Sequence, residues 1–205
     1  MEFEAVLDVL RFHGDEIMMG LYGNKARKEL MEDEGFDEDM MFYDCYTGGD
    51  FFPELFGIKN FSSCRELQNI DPPTKPFKED FVYFCMIKTF SDENNYAVDQ
   101  VHYFTIVMGK NRTILLQTYG GVRKVLVKTI VGDITKYMEM INQGNTGIYD
   151  KLFEVPEWMK HVLNFKSISF RYKRFPLKYP TLFDLNEIIK DAGLDFAKNA
   201  REKFL

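Results

Sequence analysis

The chain has 205 residues, of which 45% are hydrophobic, so it can bury one substantial core and falls within the size of a single domain, residues 1–205. Its net charge is −6, and the acidic excess lies in residues 1–44, which hold thirteen acidic and four basic residues. Acidic surface repels nucleic acid, so we expect no nucleic-acid partner. The chain lacks an apolar run of about 18 residues and a basic leader, so we expect no membrane insertion and a cytoplasmic or particle-bound protein.

The first part of the chain, about residues 1–70, has helical features. Apolar residues recur there every three to four positions, which is typical of amphipathic helices. We expect His13-Gly14 to stop the first helix, and Gly57 to follow the third. The predicted segments are residues 2–12, 15–32 and 50–56, with a helical turn capped by Ser62 and Ser63.

A sheet-rich part follows, about residues 77–180. The proline-rich segment Asp71–Pro76 separates it from the helical part, because proline prevents helix and removes sheet donors. Apolar and β-branched runs predict strands over residues 81–90, 101–108, 113–119, 122–131 and 166–175. Asp133 starts a helix over 134–141, residues 143–147 break it, and a last helix covers about 182–203. The predicted fold class is α+β, with N-terminal helices packed on a central antiparallel sheet and a C-terminal helix.

The second and third strands predict a hairpin, because Gly109-Lys110-Asn111 between them has turn chemistry. With a four-residue loop, Met108 faces Thr113, Phe104 faces Gln117 and His102 faces Tyr119. Gln117 then lies diagonally beside His102 on one face of the sheet. A three-residue loop would turn Gln117 to the other face. A neutral imidazole held by an amide presents its second nitrogen as a base, and a nearby thiol would then give a nucleophilic thiolate.

Three cysteines could supply that thiol. Their number and spacing do not fit a disulfide framework or a zinc site, so we expect reduced thiols, no metal and no cofactor. Cys85 lies in an apolar strand and is set aside as a buried, inert residue. Cys45 and Cys64 both precede or begin helical segments, where free N–H groups favour a thiolate, and both remain candidates.

The order of a helix-start cysteine, a strand histidine and a polar residue on the next strand resembles the papain-like cysteine hydrolases. The runs His102–Ile106 and Ile114–Tyr119 look most like the divergent members found in large DNA viruses and bacterial effectors. The resemblance covers the organisation of about residues 40–180 and implies a papain-like fold. It implies Cys45 as nucleophile, His102 as general base and acid, and Gln117 as the residue that orients the imidazole.

The implied activity is cleavage or deamidation of an amide or isopeptide bond in a protein or peptide substrate, and the implied location is the host cytoplasm or a virus particle. The family's oxyanion-hole glutamine precedes its cysteine, whereas the first glutamine here is Gln68. Backbone N–H groups or Asn24 would replace it. The alternative is a structural or interaction protein, such as a minor virion component, that keeps the fold without turnover.

Each residue also has an ordinary structural interpretation. His102 would be a core histidine bound to a carbonyl group, and Gln117 a cross-strand hydrogen-bonding residue. Trp158, the only tryptophan, would either pack on the core or serve as an exposed partner anchor. The cations interleaved with aromatics at 166–178 favour a solvated strand face over a single-strand nucleic-acid clamp. The sequence leaves the oligomeric state open.

Overall fold

The computed structural model describes residues 2–30, 45–75, 77–91, 100–119 and 122–191. The protein is α+β and has an antiparallel five-stranded sheet of order β4-β3-β2-β1-β5, which confirms the predicted class. The strands are β1 Phe81–Phe90, β2 Gln100–Gly109, β3 Arg112–Tyr119, β4 Val122–Ile130 and β5 Ser167–Pro176. The helices are α1 Glu2–Leu30, α2 Cys45–Leu55, α3 Ile134–Asn142, α4 Thr146–Phe153 and α5 Leu182–Asp191, with short 3₁₀-helices at Cys64–Asn69 and Glu157–Leu163.

Helices cover both faces of the sheet. On one face, α1, α2 and α5 pack on β-strand residues such as Tyr103 and Leu116. On the other face, α3, α4 and the second 3₁₀-helix pack on residues such as Phe104 and Leu115. The alternation of side chains along each strand produces the two apolar clusters, since neighbouring residues point to opposite faces. None of the described helices combines the length and apolarity that crossing a membrane requires.

The predicted strands agree with the observed ones to within one or two residues, but the predicted end of the first helix is wrong. His13-Gly14 does not stop a helix, because α1 continues to Leu30. A Cβ at Gly14 would lie 2.6 Å from Val125 Cγ2, so this glycine permits close packing of α1 on β4. The break predicted over 143–147 is shorter, since Asn145 accepts a hydrogen bond from Ile148 N and caps α4. The predicted helix residues 192–203 lie outside the described part of the chain.

The hairpin register matches the prediction. Met108 pairs with Thr113 and Phe104 pairs with Gln117. The loop is shorter than the four residues expected, because Gly109 also pairs with Arg112. Adding one pair at the tip leaves the register unchanged, so His102 and Gln117 share the face of the sheet that α4 covers.

Helix α2 lies close to the sheet because it has glycines where it crosses β2 and β3. A Cβ at Gly48 would lie 2.5 Å from Thr118 Oγ1. A Cβ at Gly49 would lie 2.8 Å from both Cβ and Sγ of Cys64, and 3.1 Å from Tyr103 Cβ. These approaches leave no room for a side chain, so the glycines hold the first turn of α2 against the sheet.

We expect Gly49→Ala to lower the free energy of unfolding by about 1–3 kcal/mol, although alanine is the better helix former. The added methyl group must displace Cys64 or Tyr103. The matched control is Gly147→Ala in α4, where the new Cβ would meet only Asn145 Oδ1, at 3.6 Å. That variant is expected to leave stability unchanged or to raise it by up to about 1 kcal/mol. Urea unfolding of both variants measures the difference, and equal midpoints would refute the packing argument.

Candidate active site

The centre of the site is a buried pair of polar side chains. His102 Nε2 and Gln117 Oε1 are 2.8 Å apart, which confirms the predicted juxtaposition of the two residues. Both are almost completely buried in the apolar cluster beneath α4. A buried polar group is tolerated when it has a hydrogen-bond partner, and each of these residues supplies one for the other.

The backbone of α4 determines the orientation of the Gln117 amide. Gln117 Nε2 donates to the carbonyl oxygen of Phe153 at 2.8 Å, and Tyr119 Oη donates to the same oxygen at 2.8 Å. A carbonyl oxygen only accepts, so the amide nitrogen must face Phe153 and Oε1 must face the ring. His102 therefore carries its proton on Nε2, and Nδ1 holds the lone pair that could act as a base.

Aromatic rings surround the imidazole. The ring of Tyr119 is stacked on it at a centroid distance of 4.5 Å and an interplanar angle of 4°. Phe153 meets it edge-on at 5.6 Å, and Phe104 stacks at 5.8 Å. Burial lowers the pKa of His102 to about 4, and the hydrogen bond to Gln117 opposes that shift. The ring is accordingly neutral at physiological pH, as a general base must be before it reacts.

Cys45 is the first residue of α2, and its thiol is half-buried. Its Sγ donates to the carbonyl oxygen of Val101 at 3.7 Å, next to His102 in the chain. The structure therefore places the sulfur beside the end of β2 that carries His102. The two residues approach the strand from different sides, since α2 packs on the face with Tyr103 and the imidazole points to the opposite face.

An ionised Cys45 would contribute to raising the pKa of two tyrosines near the imidazole. The pKa of Tyr119 is raised mainly by burial, and also by the charges of Tyr149 and Cys45. The pKa of Tyr149 is raised by burial and then by the charge of Cys45. Both tyrosines belong to the apolar cluster that contains Phe104 and Phe153.

The other two cysteines are poorer nucleophiles. Burial raises the pKa of Cys64 strongly, and the charge of Asp50 raises it further. Burial also raises the pKa of Cys85, whose Sγ donates to Tyr83 O at 3.6 Å. Thiolate is the reactive form, so both residues are disfavoured. Of the two cysteines that the sequence leaves open, Cys64 is buried and Cys45 is half-buried, so Cys45 is the more accessible thiol.

The other residues that the sequence singled out do not belong to the His102–Gln117 pair. Gln68 Nε2 donates to Tyr103 Oη at 2.8 Å, and the side chain of Asn24 lies outside the described part of the structure. Trp158 is 59% exposed, which excludes the core-packing interpretation. In the basic segment, Lys173 pairs with Glu66 at 2.6 Å, consistent with a solvated strand face.

The sequence did not predict that Tyr119 and Phe153 contact the His102–Gln117 pair. Phe153 takes part through its backbone carbonyl, and that role has no residue-type signature. Tyr119 had a signal, since the predicted register already placed it opposite His102.

Comparisons with protein-family models, curated proteins and solved structures find no match to this chain.

Proposed function

We propose that this protein is a papain-like thiol hydrolase that acts on an amide or isopeptide bond of a protein or peptide substrate. Cys45 is the nucleophile, His102 the general base and acid, and Gln117 the residue that orients the imidazole. The observation that carries the proposal is the bond between His102 Nε2 and Gln117 Oε1 at 2.8 Å, which leaves Nδ1 as the basic nitrogen of a neutral ring. A helix-start cysteine beside the same strand supports it.

The reaction has two halves. Cys45 Sγ gives its proton to His102 Nδ1 and attacks the carbonyl carbon of the substrate, forming a tetrahedral intermediate. The carbon–nitrogen bond then breaks, and the imidazolium returns the proton to the leaving amine. Water, deprotonated by His102, attacks the resulting thioester and releases the carboxylate and the thiol. A peptide or isopeptide bond gives cleavage by this route, and a side-chain amide gives deamidation with loss of ammonia.

The environment of His102 favours the neutral ring that acts as a base, but burial disfavours the imidazolium that the reaction forms. The neutral ring is ready to accept a proton, and the hydrogen bond to Gln117 favours the imidazolium once it forms. Burial opposes that charge, so the thiolate of Cys45 must offset it. Because the thiol and the imidazole approach β2 from opposite faces, the proton passes between Sγ and Nδ1 through water around the end of β2.

Alkylation of the folded protein with iodoacetamide at neutral pH tests the proposal. We expect Cys45 to react faster than Cys64 and Cys85, which are buried and serve as internal references. His102→Ala should slow labelling of Cys45 by at least about tenfold, because the thiol loses its base. The matched control is His161→Ala in the 3₁₀-helix Glu157–Leu163, which should not change the rate. Equal Cys45 labelling in all three proteins would overturn the enzymatic assignment.

The second candidate function is a structural or interaction protein without turnover. It is favoured by the burial of His102, which is 4% exposed, and by Trp158, which is 59% exposed and available as a partner anchor. The same alkylation experiment distinguishes the two proposals. Slow labelling that does not depend on His102 supports the interaction protein, whereas fast and selective labelling of Cys45 supports the hydrolase.

A further inference from the structure

The C-terminal end of α4 has an unusual backbone conformation. Glu154, the residue that caps this helix, has φ 50° and ψ 55°, in the left-handed region. A Cβ atom makes this conformation unfavourable, and glycine is the usual residue at such a position. A glutamate there points to a requirement for this backbone geometry.

The left-handed residue turns the chain away from α4, so the last carbonyl groups of the helix remain free to accept from the sheet. Lys151 O accepts from Lys128 Nζ at 2.6 Å, and Phe153 O accepts from Gln117 and Tyr119 at 2.8 Å each. The last carbonyls of a helix have no partner within the helix and need one elsewhere. In α4 these partners are side chains of β3 and β4, so the helix end and the polar pair are one hydrogen-bonded unit.

We infer that Glu154 is a positioning residue, whose left-handed conformation turns the following chain away from α4, leaves the carbonyl group of Phe153 free to accept from Gln117 and thereby fixes the proton of His102 on Nε2. If the Gln117 amide rotated by half a turn, its oxygen would face the carbonyl oxygen of Phe153, and two acceptors would repel each other. The amide is held in one orientation for that reason. Its oxygen then selects the imidazole tautomer in which Nδ1 is unprotonated.

The tautomer follows from these contacts alone, whereas its consequence for catalysis rests on the proposed function. Only the Nε2–H tautomer presents an unprotonated Nδ1 to a thiol. The wrong tautomer would need a proton shift before it could act, which lowers the rate. Glu154 would therefore act on the rate through Phe153, Gln117 and His102, without contact with the substrate.

The test is ¹⁵N NMR of the full chain labelled at histidine, with the His102 signal assigned by its loss in His102→Gln. We expect the natural protein to show Nε2–H with unprotonated Nδ1. Two variants separate the backbone of Glu154 from its side chain. Glu154→Gly and Glu154→Val both remove the ion pair with Lys128, at 3.0 Å, but only glycine adopts the left-handed conformation easily.

Glu154→Gly should retain the natural tautomer, whereas Glu154→Val should raise the share of the Nδ1–H form by roughly three- to tenfold, the effect of weakening one hydrogen bond. Should Glu154→Val fail to fold, Glu154→Ala takes its place against the glycine variant. An Nδ1–H form in the natural protein, or a valine or alanine variant with the natural tautomer ratio, overturns the inference. Correct tautomers combined with His102-independent labelling of Cys45 would instead refute the proposed function and leave the inference intact.

Discussion

Phe153→Ala is expected to lower the free energy of unfolding by about 3–5 kcal/mol, as complete truncation of a buried aromatic ring does. The side chain is fully buried between α4 and the sheet. Its ring lies 4.7 Å from that of Phe104, 4.8 Å from that of Tyr149 and 5.6 Å from the imidazole of His102, measured between centroids. Removal leaves a cavity beside the polar pair, where the surrounding strands and helix cannot easily collapse.

The matched control is Phe183→Ala in α5, since the same atoms are removed from a ring that is 69% exposed. That variant should change the free energy of unfolding by no more than about 0.5 kcal/mol. Urea unfolding followed by circular dichroism measures both variants, and comparable slopes validate the comparison. Similar losses at the two positions would show that α4 does not depend on this ring for its attachment to the sheet.

The sheet and one half of the site were predictable from local patterns. Strands β2 and β3 are β-branched and aromatic on both sides of a turn segment, and this pattern predicted the pairing of Phe104 with Gln117. Once that register is known, the alternation of side chains places His102 and Gln117 on one face. Their hydrogen bond therefore depends on a short stretch of sequence that contains its own turn.

The other half of the site depends on tertiary packing, which local patterns do not encode. Gly14 lies inside a long helix because α1 approaches β4 closely there, and no residue nearby in the chain signals that contact. The carbonyl of Phe153 reaches Gln117 across 36 residues of sequence. Glu154 adopts a conformation that its residue type disfavours, so propensity predicts the opposite. The side of β2 from which Cys45 approaches likewise follows from the docking of α2.

The burial of His102 should make the protein less stable in mild acid. Burial lowers the pKa of this residue to about 4 in the folded protein, whereas an unfolded chain has a histidine pKa of about 6.5. As the pH falls below about 6.5, the unfolded state binds a proton that the folded state does not bind until about pH 4. The contribution of His102 to stability is therefore fully present above pH 6.5 and is lost progressively between those two values.

Between pH 7.5 and pH 5 this difference amounts to roughly 2 kcal/mol of unfolding free energy from His102 alone. His102→Asn isolates it, because asparagine does not titrate while every other ionisable group is retained. The absolute stability of the variant does not matter, since only the change with pH is compared. Urea unfolding at the two pH values should give the natural protein the larger loss by about that amount, as a neutral, buried imidazole requires. If both proteins lost the same stability, His102 would be protonated as readily in the folded chain as in the unfolded one, and the ring would have access to water in the native state.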